Sequence, residues 1–271
     1  MTNNHATLPR EMSSKGKTMK IISLGWGVQS FTLAAMSALG ELEPVDFAIH
    51  ADTGHESQLT YEFAARWTPW FEDRNLSVKT VKNPIANMGK LFSKGQTHIP
   101  AFTKSVSDGD GQLNRSCTQR WKIAPMRRAI RLIAPKGASI EQWIGISLDE
   151  FQRMRDSDVK YITHRWPLIE NRMSRADCIK WLENHGLEVP PKSACTFCPF
   201  HDTAEWRRIQ GNTADWAEAV KIDHDIRLVR PGYETYIHPS RRPLEKVDLR
   251  TEQERGQLSL WDSECSGICG V

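Results

Sequence analysis

No apolar run in this 271-residue chain approaches the roughly 20 residues that a membrane-spanning helix requires. The first eighteen residues also lack the apolar core and cleavage signal of a secretory leader, so they read as a disordered lead-in, with Met19 as an alternative start. Excess charge is missing too: 36 basic against 33 acidic residues leave +3, which gives no global field toward a polynucleotide or an anionic membrane. Basic residues cluster only locally, at Arg127-Arg128 with Arg131, at Arg207-Arg208 and at Arg241-Arg242, and such clusters suit a small anion as well as a polynucleotide. No internal repeat is visible. Six cysteines without a secretory signal imply a reducing, cytoplasmic setting, where thiols serve as ligands or nucleophiles more often than as staples. The length allows one sizeable core, or one domain with an appendage.

The chain is organised around Lys20-Ile21-Ile22-Ser23-Leu24-Gly25-Trp26-Gly27-Val28-Gln29-Ser30. A short apolar run ends in two glycines one residue apart and then a hydroxyl. A helical pattern follows, with Phe31, Ala34, Ala35 and Leu39 on its apolar side. Strand, glycine turn and helix start leave backbone N–H groups and the positive end of a helix dipole facing a pocket suited to phosphate or sulfate. The same turn also closes strand–helix corners that bind nothing.

Val45–His50 reads as a second buried strand, running into Asp52-Thr53-Gly54-His55-Glu56. Ser57 is placed to cap a helix with Leu59, Phe63, Trp67 and Trp70 inward, and Leu76–Val81 reads as a third strand. Strands alternating with helices imply right-handed crossovers and an open, mostly parallel α/β sheet with helices on both faces. Ligands in such sheets bind beyond the carboxyl ends of the strands, where Gly25–Ser30 and Asp52–Glu56 both fall. From Asn83 to Asn114 periodicity is weak, and Ser105–Gly111 reads as a mobile loop. Further on, a helix is expected near Pro125 with Met126, Ile130 and Ile133 inward, then a strand over Gln142–Ile146. Ser174 with Asp177 resembles a capping pair ahead of Leu182 and Gly186, and Asp202 or Thr203 caps a helix holding Trp206 and Ile209. These signals divide the chain into a lead-in (1–18), an α/β domain (19–200), which the resemblance given below implies is a nucleotide-binding domain that includes the cysteine site, and a helical segment with a flexible cysteine tail (201–271).

Cys195-Thr196-Phe197-Cys198-Pro199 is the sharpest local signal, since two thiolates two residues apart grip one metal or one cluster. One such pair supplies two ligands. Cys117 and Cys178 are candidates to complete the set, with His201 a candidate for zinc; Cys178 also reads as a small core residue of its helix. A redox dithiol competes with the metal reading, although the pair is not beside the first βαβ unit. Arg115, Arg120 and Lys122 flank Cys117 and suit phosphate or sulfate oxygens. Cys265 and Cys269 lie in the tail, from which a thiol can enter an active site.

Together these pieces resemble the phosphoadenosine phosphosulfate reductase family, within the PP-loop group of adenine-nucleotide enzymes. Gly25-Trp26-Gly27-Val28-Gln29-Ser30 is similar to the reductase loop Ser-Phe-Gly-x-Gln, and it departs from the Ser-Gly-Gly-x-Asp-Ser of ATP-using members at Trp26 and Gln29. Asp52-Thr53-Gly54 followed by Thr60-Tyr61-Glu62 resembles the family's Asp-Thr-Gly loop and its Glu-Thr-Tyr helix. Ser116-Cys117 with Lys122, Pro125, Arg127 and Arg128 resembles the Cys-Cys segment of cluster-bearing adenylyl-sulfate reductases, with Ser116 replacing one cysteine. Glu264-Cys265-Ser266-Gly267-Ile268-Cys269 resembles the reductases' terminal Glu-Cys-Gly-Leu-His, with a serine inserted and Cys269 in place of histidine.

The resemblance implies a Rossmann-like PP-loop fold and an adenine nucleotide held by Gly25, Trp26, Gly27, Gln29, Ser30, Asp52, Thr53, Gly54, Glu56, Arg115, Lys122 and Arg127. It implies a [4Fe-4S] cluster (zinc as the alternative) on Cys117, Cys178, Cys195 and Cys198, and Cys265 as the thiolate that attacks the sulfate of adenylyl sulfate or its 3′-phosphorylated form. Cys269 or a thioredoxin-like donor would then release sulfite. The alternative it carries is an ATP- and Mg²⁺-using sulfurtransferase that thiolates a base of tRNA, or the backbone of DNA, from a cluster with one open iron. A third class is a nucleotide or cluster sensor without turnover.

Overall fold

The computed structural model describes residues 18–82, 92–93, 96–105, 109–251 and 254–255. The first half alternates strand and helix as β1 (Met19–Ser23), α1 (Val28–Ala38), β2 (Phe47–Asp52), α2 (Gln58–Glu72) and β3 (Val78–Lys82). Short strands β4 (Phe92–Ser93), β5 (Gln96–Thr97), β6 (Phe102–Lys104) and β7 (Gly111–Gln112) follow, and a π-helical stretch Thr118–Ile123 runs into α3 (Ala124–Ile133). Then come β8 (Ile140–Ile144), a 3₁₀ turn Leu148–Arg153, β9 (Ile162–Arg165), α4 (Pro167–Glu170), α5 (Arg175–Asn184), α6 (Thr203–Gln210), α7 (Thr213–Asp225) and β10 (Glu234–Tyr236).

The main sheet has the order β3-β2-β1-β8-β9, and every pairing in it is parallel. Strand alternation divides its side chains between two cores. Ile22, Ala48 and Trp143 share a core with Phe31 of α1, Phe63 of α2 and Leu182 of α5, whereas Ile21, Phe47, Ile49, Ile140 and Ile162 pack with Met126 and Ile130 of α3. The expected open α/β architecture, with helices on both faces, is therefore present. A third core holds Ile99, Trp121, Phe197, Trp206, Ile222, Ile226 and Ile237 beside the antiparallel sheet β10-β6-β7. It joins the chain around residue 100, the cysteine loop and the last helices. Among the described residues no helix is long and apolar enough to cross a membrane.

Several expected details shift. Leu39, Leu59 and Ile133 are 40%, 42% and 39% exposed instead of inward. In α2 the buried stripe runs through Thr60, Phe63 and Phe71, one position on from Leu59, while Leu39 sits at the C-cap of α1, past its last packed turn. The strand expected at Gln142–Ile146 is Ile140–Ile144, and β9 was not foreseen. In the stretch expected to be a mobile loop, Gly111–Gln112 pairs with β6, while residues 106–108 lie outside the described residues. Ser174 and Asp177 do form a reciprocal capping box, and Asp202 caps α6 through Glu205 N.

Gly145, just past β8, lies against the backbone of the first turn of α1. A Cβ there would stand 2.7 Å from Ser30 N and Cα and 2.9 Å from the Gln29 carbonyl carbon. These are backbone atoms that no rotamer change can clear. Gly145→Ala should therefore lower unfolding stability by about 1–3 kcal/mol, read by chemical denaturation.

Candidate active site

The parallel sheet sends the turns after β1, β2 and β8 to one edge, and side chains then tie them together. Gly27 is the N-cap of α1, whose first turn carries no acidic residue, so its free N–H groups and dipole face outward uncompensated. Ser30 closes the turn from within: its Oγ accepts from Gly25 N at 3.1 Å and donates to the Gly27 carbonyl at 3.2 Å. Trp26 adopts φ +58°, a left-handed conformation rare for a bulky residue, and its indole is buried against His50, Phe63 and Phe71. The Trp26 side chain is thus an anchor in the core, and only its backbone is left to meet a ligand. Gln29 turns to the β8 side, where its Nε2 donates to Glu150 at 3.2 Å and Ser147 at 3.4 Å.

Asp52 organises the second turn. Its Oδ1 accepts from Gly54 N at 2.7 Å and from the Tyr61 hydroxyl at 2.8 Å, and its Oδ2 pairs with Lys82 at 3.0 Å. Burial alone would raise its carboxyl pKa, but these donors hold it below the ordinary value. Gly54 takes φ +77°, which the turn requires. Glu56 is wholly buried; its Oε1 accepts from Lys122 at 3.2 Å, and its Oε2 has no protein partner.

The cysteine loop is joined to this turn through the backbone. Thr196 N donates to the His55 carbonyl at 2.9 Å, and Glu56 and Cys195 form an antiparallel bridge. Glu218 of α7 clamps both sides, accepting from Thr196 Oγ1 at 2.6 Å and bonding His55 Nδ1 at 2.9 Å. Ser193 donates to the Gly25 carbonyl, which brings the glycine turn into the same assembly.

The result is a pocket of about 120 Å³ lined by Cys117, Cys195, Cys198, Lys122, Arg115 and Thr53, among others. Its size admits a small inorganic group or the edge of one ring; a whole nucleotide needs ~300 Å³ or more and would lie along the sheet edge outside. Burial raises the pKa of the Cys195 thiol, reinforced by Glu56 and partly offset by Lys122, and burial likewise raises that of Cys198. Desolvation would lower the Lys122 pKa, but it is held above its ordinary value chiefly by the charge and hydrogen bond of Glu56.

Among the described residues no three His, Cys, Asp or Glu side chains are already gathered closely enough to share an ion. The donors that meet in this pocket are three thiols, which fit a cluster by type, and they would have to close in to bind one.

Other expected site residues lie elsewhere. Cys178 is fully buried in the α1–α5 core, bonded to Thr32, with its pKa pushed up to about 12 by desolvation; it is not among the residues lining the pocket. Helical packing placed it there, as the core reading of its pattern anticipated. Arg127 pairs with Asp158 and does not line the pocket either. His201 turns its Nε2 to the Cys195 carbonyl at 2.8 Å and packs on Trp206, supporting the cysteine loop instead of facing the pocket. Ser116 donates to the His98 carbonyl at 3.1 Å. Cys265 and Cys269 lie outside the described residues. Glu218, Ser193 and Gly145 were not singled out, because each meets a partner more than a hundred residues away (His55, Gly25 and Ser30) and no local pattern marks them.

The fold and site define an α/β protein with a parallel sheet whose carboxyl edge carries a glycine turn and a three-thiol pocket. No family model matches the chain, and no curated protein matches it in sequence. Among solved structures it is similar to the U34-tRNA thiolase NcsA from Methanococcus maripaludis with its [4Fe-4S] cluster, at 15% identity and a TM-score of 0.40, covering 86% of this chain and 74% of that one.

Glu218→Ala should cost about 1–3 kcal/mol by leaving His55 and Thr196 unpaired, and should speed alkylation of Cys195 as its loop loosens. Burial would raise the Glu218 pKa, but His55 and Thr196 hold it below the ordinary 4.5. Its contribution is therefore full above that value and is lost as the pH falls through the lowered one. The stability gap between wild type and E218A should narrow in thermal melts taken below about pH 4.5.

Proposed function

We propose that this chain is an adenine-nucleotide-dependent sulfurtransferase of the PP-loop kind. In this reading ATP activates a carbonyl oxygen of an acceptor, and sulfur then replaces that oxygen. The observation that carries it is the thiol count: Cys117, Cys195 and Cys198 share one pocket, while Cys178 is sealed in another core and Ser116 is bonded to the main chain. Three protein thiolates leave one position of a cluster without a protein ligand. Cys117, Cys195 and Cys198 would hold such a cluster, which would supply sulfur-transfer chemistry at this pocket.

The chain's own residues account for the remaining work. The N–H groups at the start of α1 suit the phosphates, with the helix dipole favouring their charge. Lys122 and Arg115 balance anionic groups at the pocket. No carboxylate sits within the glycine turn itself, but Glu150, bonded to Gln29, stands beside it as a candidate to direct Mg²⁺. In the first step the acceptor oxygen attacks the α-phosphorus of ATP and pyrophosphate leaves. In the second, sulfide-level sulfur forms the C–S bond while the C–O bond breaks, and AMP departs with the oxygen. The reductive reading, in which Cys265 attacks an adenylyl sulfate, depends on a residue outside the described ones.

Protein purified without oxygen should show broad absorption near about 400 nm and contain about four irons per chain. Cys178→Ala should keep that iron, whereas Cys195→Ala and Cys198→Ala should lose it. ATP should bind more tightly than adenylyl sulfate or its 3′-phosphorylated form, and Cys265→Ser should leave ATP binding intact. Colourless protein holding one zinc, or tight binding of the sulfate esters without ATP binding, would overturn the reading.

A further inference from the structure

Phe200 is 50% exposed, although the aromatic neighbours in its part of the chain, Phe197 and Trp206, are buried. A single exposed phenylalanine is ordinary; the setting of this one is not. It follows Cys198 and Pro199, both of which line the thiol pocket. The loop holds it firmly. Cys198 N bonds the Cys195 carbonyl at 3.1 Å, His201 N bonds the Cys198 carbonyl at 3.2 Å, and the Phe200 N–H donates to the Cys198 sulfur. Buried His201 fixes the far side of the turn through the Cys195 carbonyl. The ring is therefore displayed by a rigid turn at the pocket's rim.

Arg115, itself part of the pocket lining, places its guanidinium 5.6 Å from the centre of the Phe200 ring and donates from Nε to Thr118 Oγ1 at 3.0 Å. Arg120 and Lys192 are also exposed on these segments, and Asp202 pairs with Lys192. An aromatic face beside a guanidinium, at the mouth of the thiol pocket, suits a planar heteroaromatic group carried on an anionic backbone. An apolar peptide side chain would use the ring but not the surrounding positive charge.

We infer that Phe200, with Arg115, forms a stacking platform that presents a nucleobase of a single-stranded nucleic acid to the thiol pocket. This rests on the sulfurtransferase reading and narrows its acceptor to a base. The backbone phosphates lie toward Arg115, and the base stacks on the exposed face of Phe200 with its edge directed at Cys198 and Cys195. The turn's main-chain bonds do not depend on the side chain at 200, so Phe200 is a specificity residue that can be changed without dismantling the loop.

The test uses the full chain purified without oxygen, with a short single-stranded RNA carrying one 2-aminopurine and the same strand with an abasic site at that position. Wild type should quench the 2-aminopurine fluorescence and prefer the base-bearing strand. Phe200→Ala should abolish the quenching and weaken binding of that strand by about 5- to 150-fold, the equivalent of about 1–3 kcal/mol. Binding of the abasic strand should be unchanged, and Phe200→Trp should restore both signals. Equal binding by wild type and F200A, or equal binding of the base-bearing and abasic strands by wild type, would overturn the platform. Iron content and ATP binding measured on the same samples separate the two ideas. If both are normal in a protein indifferent to Phe200, the platform alone fails; if base-dependent binding occurs without iron or ATP affinity, the platform stands and the sulfurtransferase reading falls.

Discussion

The short main-chain pairing between His55–Glu56 and Cys195–Thr196 is the constraint on which the rest of the site depends. It joins segments about 140 positions apart and sets the cysteine loop against the carboxyl end of β2. Backbone pairing fixes where Cys195 stands, yet two bonds alone would leave the loop free to hinge. Glu218 removes that freedom by engaging Thr196 on one side and His55 on the other, and Asp215, one turn earlier in α7, accepts from Gln58 N at the start of α2. One helix therefore holds the turn after β2, the helix that follows it and the cysteine loop. A shift at the sheet edge would be transmitted to the thiols through atoms in direct contact.

The charges in the pocket follow the same logic of enforced proximity. A carboxylate as buried as that of Glu56 is tolerated only with a partner, and Lys122 is that partner. Breaking a buried pair of this kind costs on the order of 3 kcal/mol, against at most about 1 kcal/mol for the exposed pairs elsewhere on the chain. Lys122 is reached by water through the pocket, which moves the figure toward the lower end. The pair fixes a positive charge beside thiols that burial otherwise keeps neutral.

The sequence made the sheet legible because its signals are local and repeated. Runs read as strands, such as Lys20–Ser23 and Val45–His50, lead into turn residues, and helical periodicity follows each. Boundaries moved by about two residues where a run of buried residues continued past the expected end, as in β2. Helix faces were read less well: Leu59 and Thr60 differ by one position, and only the packing of Phe63 against Phe31 decides which is covered. The cap of α2 was attributed to Ser57, whose hydroxyl instead pairs with Thr60, while Asp215 serves the helix from a distance.

The thiols show where a motif stops being informative. Cys195 and Cys198 were visible because their spacing is itself the chemical requirement. Cys117 and Cys178 were indistinguishable by spacing, since each is a single cysteine near helical residues. What separates them is the side of the sheet from which their helices approach. Cys117 precedes the π-helical stretch whose Trp121 enters the third core, beside Phe197 of the cysteine loop. Cys178 lies on α5, which packs against α1 inside the core of the first sheet face, away from the cluster that holds Trp121 and Phe197. Sorting them required the strand order, because β8 and β1 must be neighbours before α1 and α5 can share a face. A ligand set assembled from single cysteines is thus a property of topology, and spacing alone can nominate its members without choosing among them.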